Sequence, residues 1–275
     1  APDFVPASPF WQRDYFRFEL AALYKDAGRV EEAAALVGQI DDPDILIMAG
    51  LDPRFRAVAT KSLDVRSAVE RELARDRQLS QAHPELLEGY LQQVGDLRRL
   101  GRDAEALALL ESARTRTGLL RQFSDQADTL NWYWNERGYV LASLGNQDDA
   151  ILSLSRGGVS AELGGLNVSQ VINLAGLQVE FGLGSDAIET LDVFSASQRR
   201  MSPFGELEMR SARVCAQSLI GGLSKVSDDI AYATAHEKDN AGAASMLLIC
   251  AGELDAAAAI LIRTLDDPEI GRAHV

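Results

Sequence analysis

The sequence predicts an all-α protein built from stacked helical hairpins, with no β-sheet. Apolar residues recur at helical spacing along almost the whole chain. No run of β-branched residues has the strict alternation and the hairpin turns that a sheet needs. A short turn that contains glycine also recurs, and alanine follows the glycine five residues later. Together, these three observations indicate a repeat of helix, turn and helix.

Composition and charge exclude several classes of protein. Of the 275 residues, 47% are hydrophobic and 25% are charged, which provides enough apolar surface for a large core. The formal net charge of -14 argues against nucleic acid as a partner, because phosphate binding needs clustered lysine and arginine. The most apolar stretch, residues 242–262, contains Glu253 and Asp255, so we expect no membrane-spanning helix.

The first segment, residues 1–13, is expected to be extended. Prolines at three of the first nine positions fix the backbone and remove hydrogen-bond donors. This proline-rich opening suits the start of an exported mature domain, so we expect a periplasmic or otherwise exported protein; a cytoplasmic location is the alternative. The four lysines against 23 arginines are typical of a GC-rich bacterial genome.

Four copies of the glycine repeat follow along the chain. Glycine ends the first helix of each copy at little cost, because it adopts positive φ readily. Acidic residues suit the first turn of the second helix, and the small alanine lets the two helices pack closely. One hairpin cannot bury its own apolar faces, so we expect a single solenoid over residues 14–275. The copies span residues 14–47, 87–120, 131–164 and 168–201, with turns at Gly28, Gly101, Gly145 and Gly182.

Three further hairpins depart from the repeat pattern. In the first of them, Pro53 and Asp64 mark the starts of helices. In the other two, Gly221 and Gly252 mark turns. These degenerate hairpins are predicted at residues 44–80, 204–237 and 241–270.

The C-terminal residues repeat an earlier pattern. Residues 265–270 match residues 40–45, in which Asp42 can cap a helix that begins at Pro43. A helix that began in the same way at Pro268 would have barely two turns before the last residue. We therefore expect the chain to be part of a longer repeat protein.

The two cysteines, Cys215 and Cys250, are too few for a disulfide framework or a zinc cluster. Both lie in apolar helical contexts, so we expect buried, small hydrophobic side chains. A disulfide is the alternative if the protein is exported.

Other chemistry-bearing patterns have a structural explanation. His83, His236 and His274 are far apart in sequence and are expected to face solvent or to cap helices. Residues 182–187 fit the dinucleotide pattern G-x-G-x-x-A, but the preceding strand that this fingerprint needs is missing. Residues 41–44 lack the spaced ligands of a calcium loop and are expected to cap a helix. We therefore predict no catalytic residue, no metal and no cofactor.

The third copy of the repeat matches a known pattern. Trp134, Gly138, Ala150 and Leu154 stand at its tryptophan, small-residue, alanine and phenylalanine positions, whereas Arg137 departs from the expected leucine. The chain thereby resembles bacterial helical repeat proteins of the tetratricopeptide repeat family. The resemblance implies a right-handed superhelix whose concave groove binds a peptide or protein segment.

The first helix of each hairpin carries a second stripe of residues, offset from its packing stripe, which the resemblance places on the concave wall. Aromatic and arginine side chains there would supply contact area and directional donors for a partner. The alternative is that Trp132 and Tyr139 pack against the preceding helix. The candidate binding residues are Tyr15, Phe18, Lys25, Arg98, Trp132, Asn135 and Tyr139.

These observations predict a non-enzymatic scaffold that binds a protein or peptide in a bacterial envelope assembly or secretion process. The net charge is -5 over residues 1–137 and -9 over the remainder, so the N-terminal groove is the preferred surface. Two alternatives stay open. One is a periplasmic domain of a polysaccharide export system that contacts glycan. The other is a helical-superhelix enzyme such as a lytic transglycosylase, which needs a glutamate acid in a separate lobe that the sequence does not show.

Overall fold

The structure is a computed structural model that describes residues 9–55, 64–115, 121–159, 167–197 and 200–266. These residues form fourteen α-helices and two short 3₁₀ helices. They contain no β-strand, so the all-α prediction is confirmed for the described part of the chain.

The helices group into two compact units. Unit 1 contains the described residues up to Ala82 together with Asp96–Arg102. Unit 2 contains His83–Gly95 and the described residues from Asp103 onward.

The first helix of unit 1 begins earlier than the sequence predicts. It starts at Pro9, so residues 9–13 are helical rather than extended, because proline fits the first turn of a helix. Residues 1–8 lie outside the described residues. The helices of this unit are α1 (Pro9–Asp26), α2 (Val30–Val37), α3 (Pro43–Leu51), a 3₁₀ helix (Pro53–Phe55), α4 (Val65–Ala82) and the last turn of α5 (Glu88–Arg99).

Two aspartates fix the connection from α2 to α3. The Asp42 carboxylate caps α3 and accepts hydrogen bonds from the backbone N–H groups of Asp44 at 3.0 Å and Ile45 at 3.1 Å. Asp14 of α1 is fully buried and accepts from the backbone N–H groups of Asp41 at 2.7 Å and Asp42 at 2.9 Å. The prediction that this acidic stretch caps a helix is confirmed.

Unit 2 contains the rest of α5 and nine further helices among its described residues. Within it, α7 packs against α9, α9 against α11, and α11 against α13, while α6, α8, α10 and α12 each pack against the helix that follows. The bounds are α6 (Asp103–Ser112), α7 (Gln126–Ser143), α8 (Gln147–Gly158), α9 (Val168–Glu180), α10 (Gly184–Ala196), α11 (Pro203–Leu219), a 3₁₀ helix (Leu223–Lys225), α12 (Ser227–Ala235), α13 (Ala241–Ala251) and α14 (Leu254–Asp266).

A left-handed glycine follows the end of six helices, α1, α5, α7, α9, α11 and α13, which we call the first helices. The φ angles of these glycines lie between 70° and 85°. A Cβ at any of them would meet nothing within 4 Å, so the backbone conformation, and not a lack of space, favours glycine. The four predicted turns are confirmed, and two degenerate hairpins end their first helices in the same way. The glycines are Gly28, Gly101, Gly145, Gly182, Gly221 and Gly252.

The interface between α6 and α7 explains one departure from the repeat pattern. Arg137, where the resemblance expects leucine, donates to Glu111 Oε1 at 2.9 Å and to Ser153 Oγ at 2.6 Å. Beside it, Tyr133 is fully buried, and its hydroxyl donates to the Leu110 carbonyl at 3.2 Å. Burial raises the pKa of Tyr133 to about 12. Arginine at this position therefore joins α7 to α6 and to α8.

The two cysteines are paired, which corrects the expectation of two unbonded hydrophobic side chains. A disulfide joins Cys215 of α11 to Cys250 of α13, with the Cα atoms 4.9 Å apart. Both residues do lie in apolar helical surroundings, as predicted. The packing of α11 against α13 brings them together, although they are 35 residues apart in sequence.

Candidate functional site

Four of the candidate binding residues lie in unit 1. Phe18 is buried in the core, where its ring lies 5.6 Å from that of Phe55, so it is no accessible contact for a partner. Tyr15 is half-buried and packs against the same core. Lys25 and Arg98 are partly exposed. Helical spacing identifies a stripe on α1, but it does not distinguish a groove wall from a core-facing side.

The other three candidates lie on α7 in unit 2. Trp132 is 44% exposed, so its ring is accessible. Tyr139 is half-buried. Asn135 is buried, and its Oδ1 accepts a hydrogen bond from Asn173 Nδ2 at 2.8 Å. Asn135 therefore links α7 to α9, whereas Trp132, one turn earlier on the same helix, is exposed to solvent.

Polar side chains from consecutive first helices are hydrogen-bonded in pairs, and we call them the polar row. The Asn135–Asn173 pair joins α7 to α9. In the second pair, Asn240 Nδ2 donates to Glu208 Oε1 at 2.7 Å and so joins the N-terminal cap of α13 to α11. Two members, Asn173 and Glu208, also line a pocket between α9 and α11.

This pocket has a volume of about 490 Å³ and carries charged, polar and apolar groups. Arg200 supplies a positive charge and Glu208 a negative one. Phe204 is 47% exposed and presents an aromatic ring. The lining residues are Val168, Ser169, Ile172, Asn173, Arg200, Met201, Ser202, Phe204, Gly205 and Glu208.

Capping side chains place two helix N-termini at the pocket. The Asn167 side chain accepts from Gln170 N at 3.1 Å and starts α9. The Ser202 hydroxyl accepts from Gly205 N at 3.1 Å and starts α11, with Pro203 as the first helical residue. These caps fix the first turn of each helix, which carries residues that line the pocket.

The pocket lining can contact apolar and charged groups of a ligand. An aromatic ring and the apolar Ile172 and Met201 can cover apolar groups, while Arg200 and Glu208 can pair with charges of either sign. Among the described residues, no group of three or more histidine, cysteine, aspartate or glutamate side chains is arranged to hold a metal ion. None of the described helices combines the length and the apolar character that a membrane crossing requires.

The described histidines are exposed or cap a helix, and the dinucleotide-like pattern forms a turn. His83 is exposed, and His236 stacks on Tyr232 at the C-terminal end of α12, with ring centroids 4.1 Å apart. His274 lies outside the described residues. Gly182 forms the left-handed turn between α9 and α10, and a helix rather than a strand precedes it. These predictions are confirmed for the two described histidines and for the turn.

The sequence reasoning missed the pocket, although the repeat holds a signal for it. Trp132 lies thirteen residues before its left-handed glycine, and Ser169 and Glu208 lie thirteen residues before theirs. The positions of α9 and α11 that correspond to Trp132 in the repeat are therefore Ser169 and Glu208, and both line the pocket. Arg200 and Phe204 give no such signal, because they lie at or before the start of α11, outside the repeated positions.

Comparison of the chain with protein-family models, with curated proteins and with solved structures found no match.

Proposed function

We propose that this protein is a non-enzymatic binding scaffold of the tetratricopeptide-repeat type. In this proposal the hairpins of unit 2 stack as a right-handed solenoid, and an extended peptide or protein segment lies along the polar row. The recurrence of left-handed glycines and the packing of α7, α9, α11 and α13 on one another support the stacking.

The pocket between α9 and α11 is the observation that carries the proposal. It combines an exposed aromatic ring, a guanidinium and a carboxylate within one depression. Such a combination favours a peptide segment that carries an apolar side chain. The ring can cover that side chain, while the guanidinium and the carboxylate can form hydrogen bonds with the peptide backbone. Trp132 extends the accessible aromatic surface along the neighbouring first helix.

The disulfide supports the proposal of an exported protein. Disulfide bonds persist in oxidising compartments such as the bacterial periplasm and are rare in the cytosol. Cys215 and Cys250 are the two cysteines of the chain, and they are paired with each other. We therefore propose that the scaffold acts in the bacterial envelope.

Glycan is the second candidate ligand, because exposed Trp132 and Phe204 could stack on sugar rings while the Asn173 amide and the Glu208 carboxylate bond hydroxyl groups. Selection from a random displayed peptide library, in parallel with a glycan array, distinguishes the two ligands. Enriched peptides support the peptide-binding proposal. Binding on the glycan array alone favours the alternative.

Matched variants test whether ligand binding uses the pocket. Phe204→Ala should weaken the enriched peptide at least tenfold, measured by calorimetry. Leu152→Ala is the control, because Leu152 is also 47% exposed and does not line this pocket. Equal affinity of both variants for the peptide would contradict the proposed site, and failure to enrich any peptide would contradict peptide binding.

A further inference from the structure

A second pocket of unit 2 lies between α8 and α10 and is also lined by α9, and we call it the α8–α10 pocket. Its volume is about 440 Å³. Val171 and Leu174 of α9 and Phe194 of α10 give it an apolar lining. Val159 and Val193 also line it, and they are 78% and 62% exposed. A partner that covers these two side chains buries more apolar surface than a small ligand inside the pocket does.

The α8–α10 pocket and the pocket between α9 and α11 use different sides of α9. Val171, Leu174 and Gln178 line the α8–α10 pocket, and their three- and four-residue spacing places them on one side of the helix. Ser169 and Ile172 line the other pocket. Each residue turns an α-helix by about 100°, so these two residues lie on roughly the opposite side from Leu174. The two pockets are therefore separate sites.

Gln178 brings an unused hydrogen-bond donor to the α8–α10 pocket. It is 7% exposed, and its Oε1 accepts from Thr190 Oγ1 at 2.9 Å. Its Nε2 has no acceptor among the described residues. Leu97 and Leu141 stand at the corresponding position of the two preceding first helices, four residues before the left-handed glycine, and both are buried. The amide that replaces leucine here can donate to a carbonyl group of a ligand.

The charge at the α8–α10 pocket is negative. Asp186 and Glu189 line it, both are exposed, and neither forms an ion pair or a hydrogen bond with another described residue. Arg156 is the one basic residue of α8, α9 and α10, and its guanidinium lies 5.0 Å from the centre of the Trp134 ring on α7. The same three helices carry six acidic residues, which are Asp148, Asp149, Glu180, Asp186, Glu189 and Asp192.

The basic residues that follow α10 are engaged elsewhere where the structure describes them. Arg213 of α11 donates to Asp192 Oδ1 at 2.7 Å, so it neutralises the acidic residue of α10 that does not line the pocket. Arg200 lines the pocket between α9 and α11. Arg199 lies outside the described residues. The two carboxylates of the α8–α10 pocket therefore favour a ligand with a positive charge.

We propose that the α8–α10 pocket is a second binding site, for a peptide segment that carries an apolar side chain next to a lysine or an arginine. The apolar side chain contacts Leu174 and Phe194, and the basic side chain pairs with Asp186 and Glu189. A backbone carbonyl of the peptide accepts from Gln178 Nε2. A peptide also covers the exposed valines, which a small organic cation leaves in solvent. This site binds its ligand whether or not the pocket between α9 and α11 binds one.

Peptide display on the Phe204→Ala variant tests the proposal, because this parent variant lacks the aromatic ring of the other pocket. A random library should yield peptides in which lysine or arginine stands next to an apolar residue. Adding Asp186→Asn and Glu189→Gln to the parent should weaken these peptides at least about tenfold in calorimetry, because both carboxylates lose their charge. Adding Asp148→Asn and Glu180→Gln is the matched control. It removes the same charge from exposed residues outside the pocket and should leave the affinity unchanged.

Gln178→Leu tests the amide donor, and it introduces the residue that Leu141 provides in α7. This change should weaken the same peptides about threefold to tenfold, as expected for the loss of one hydrogen bond. Circular dichroism melting confirms that every variant folds.

Several outcomes would overturn the proposal. Peptides that are enriched on the wild type but not on Phe204→Ala would support the pocket between α9 and α11 alone. Enriched peptides without basic residues, or equal affinity of the two charge-neutralised variants, would show that the carboxylates do not bind the ligand. Octylamine is the probe for a small organic cation. If octylamine bound the parent and lost affinity with Asp186→Asn and Glu189→Gln while no peptide was enriched, the ligand would be a small cation instead.

Discussion

Cys215 of α11 and Cys250 of α13 form a disulfide bond between two first helices that also pack against each other. The bond closes a stretch of 35 residues that includes α12 and the 3₁₀ helix before it. A cross-link of this kind restricts the unfolded chain, and that restriction favours the folded state.

Removal of the disulfide should destabilise unit 2. Replacing both cysteines by alanine should lower the free energy of unfolding by roughly 3 to 4 kcal/mol, because a loop of this length regains its entropy in the unfolded chain. Urea denaturation followed by circular dichroism, with and without dithiothreitol, measures the effect. Reductant should lower the midpoint of the wild-type protein and leave that of the double variant unchanged. Two free thiols in the oxidised wild-type protein, detected by mass spectrometry, would contradict this prediction.

Three carboxyl groups interact in unit 1, and they should make its stability depend on pH. Asp96 of α5 is buried beside Glu72 and Asp76 of α4. Burial, followed by the charges of Glu72 and Asp76, raises the pKa of Asp96 to about 8, and burial also raises the pKa values of its two neighbours. The folded state therefore binds more protons than the unfolded state between about pH 4 and pH 8, so stability should fall as pH rises through this range.

Asp96→Asn tests this assignment. An amide carries no charge to desolvate, so the variant should be more stable than the wild type at pH 8, by roughly 1–3 kcal/mol, and its melting temperature should depend less on pH. Thermal melts at pH 5 and pH 8 measure both effects. Glu180→Gln, on an exposed carboxylate at the end of α9, should follow the wild-type curve. A melting temperature of the wild-type protein that rises from pH 5 to pH 8 would refute the prediction.

Two helical glycines should respond to alanine in opposite directions. A Cβ on Gly138 would lie 2.7 Å from Leu154 Cγ, so Gly138→Ala must displace a buried side chain and should cost about 1–3 kcal/mol. A Cβ on Gly176 would meet nothing within 4 Å, so Gly176→Ala should stabilise α9 by about 0.5–1 kcal/mol. Chemical denaturation of both variants measures the difference. A Gly138→Ala variant as stable as Gly176→Ala would show that α7 and α8 do not approach so closely.

The helices and turns could be predicted from the sequence because their signals are local. Gly145 and Ala150 lie five residues apart. The glycine indicates the backbone conformation of the turn, and the alanine indicates close packing of the helix that follows. The Cys215–Cys250 and Asn135–Asn173 contacts have no local signal, because separate helices must pack before either pair can meet. The prediction that Phe18 lines a binding groove was wrong for the same reason. The core that buries Phe18 includes Phe55, which lies in the 3₁₀ helix Pro53–Phe55.

Alanine substitutions of Trp132 and Asn135 should have different effects, one on binding and the other on stability, although both residues belong to the predicted stripe. Trp132→Ala removes an exposed ring, so the free energy of unfolding should change by less than about 0.5 kcal/mol, while binding of a selected peptide weakens. Asn135→Ala removes the acceptor of Asn173 Nδ2 and should cost about 1–2 kcal/mol of stability. A double-mutant cycle with Asn173→Ala isolates the hydrogen bond, for which we expect a coupling of about 0.5–1.5 kcal/mol. If Trp132→Ala proved the more destabilising change and left peptide binding intact, Trp132 would be a packing residue and the binding face would have to lie elsewhere.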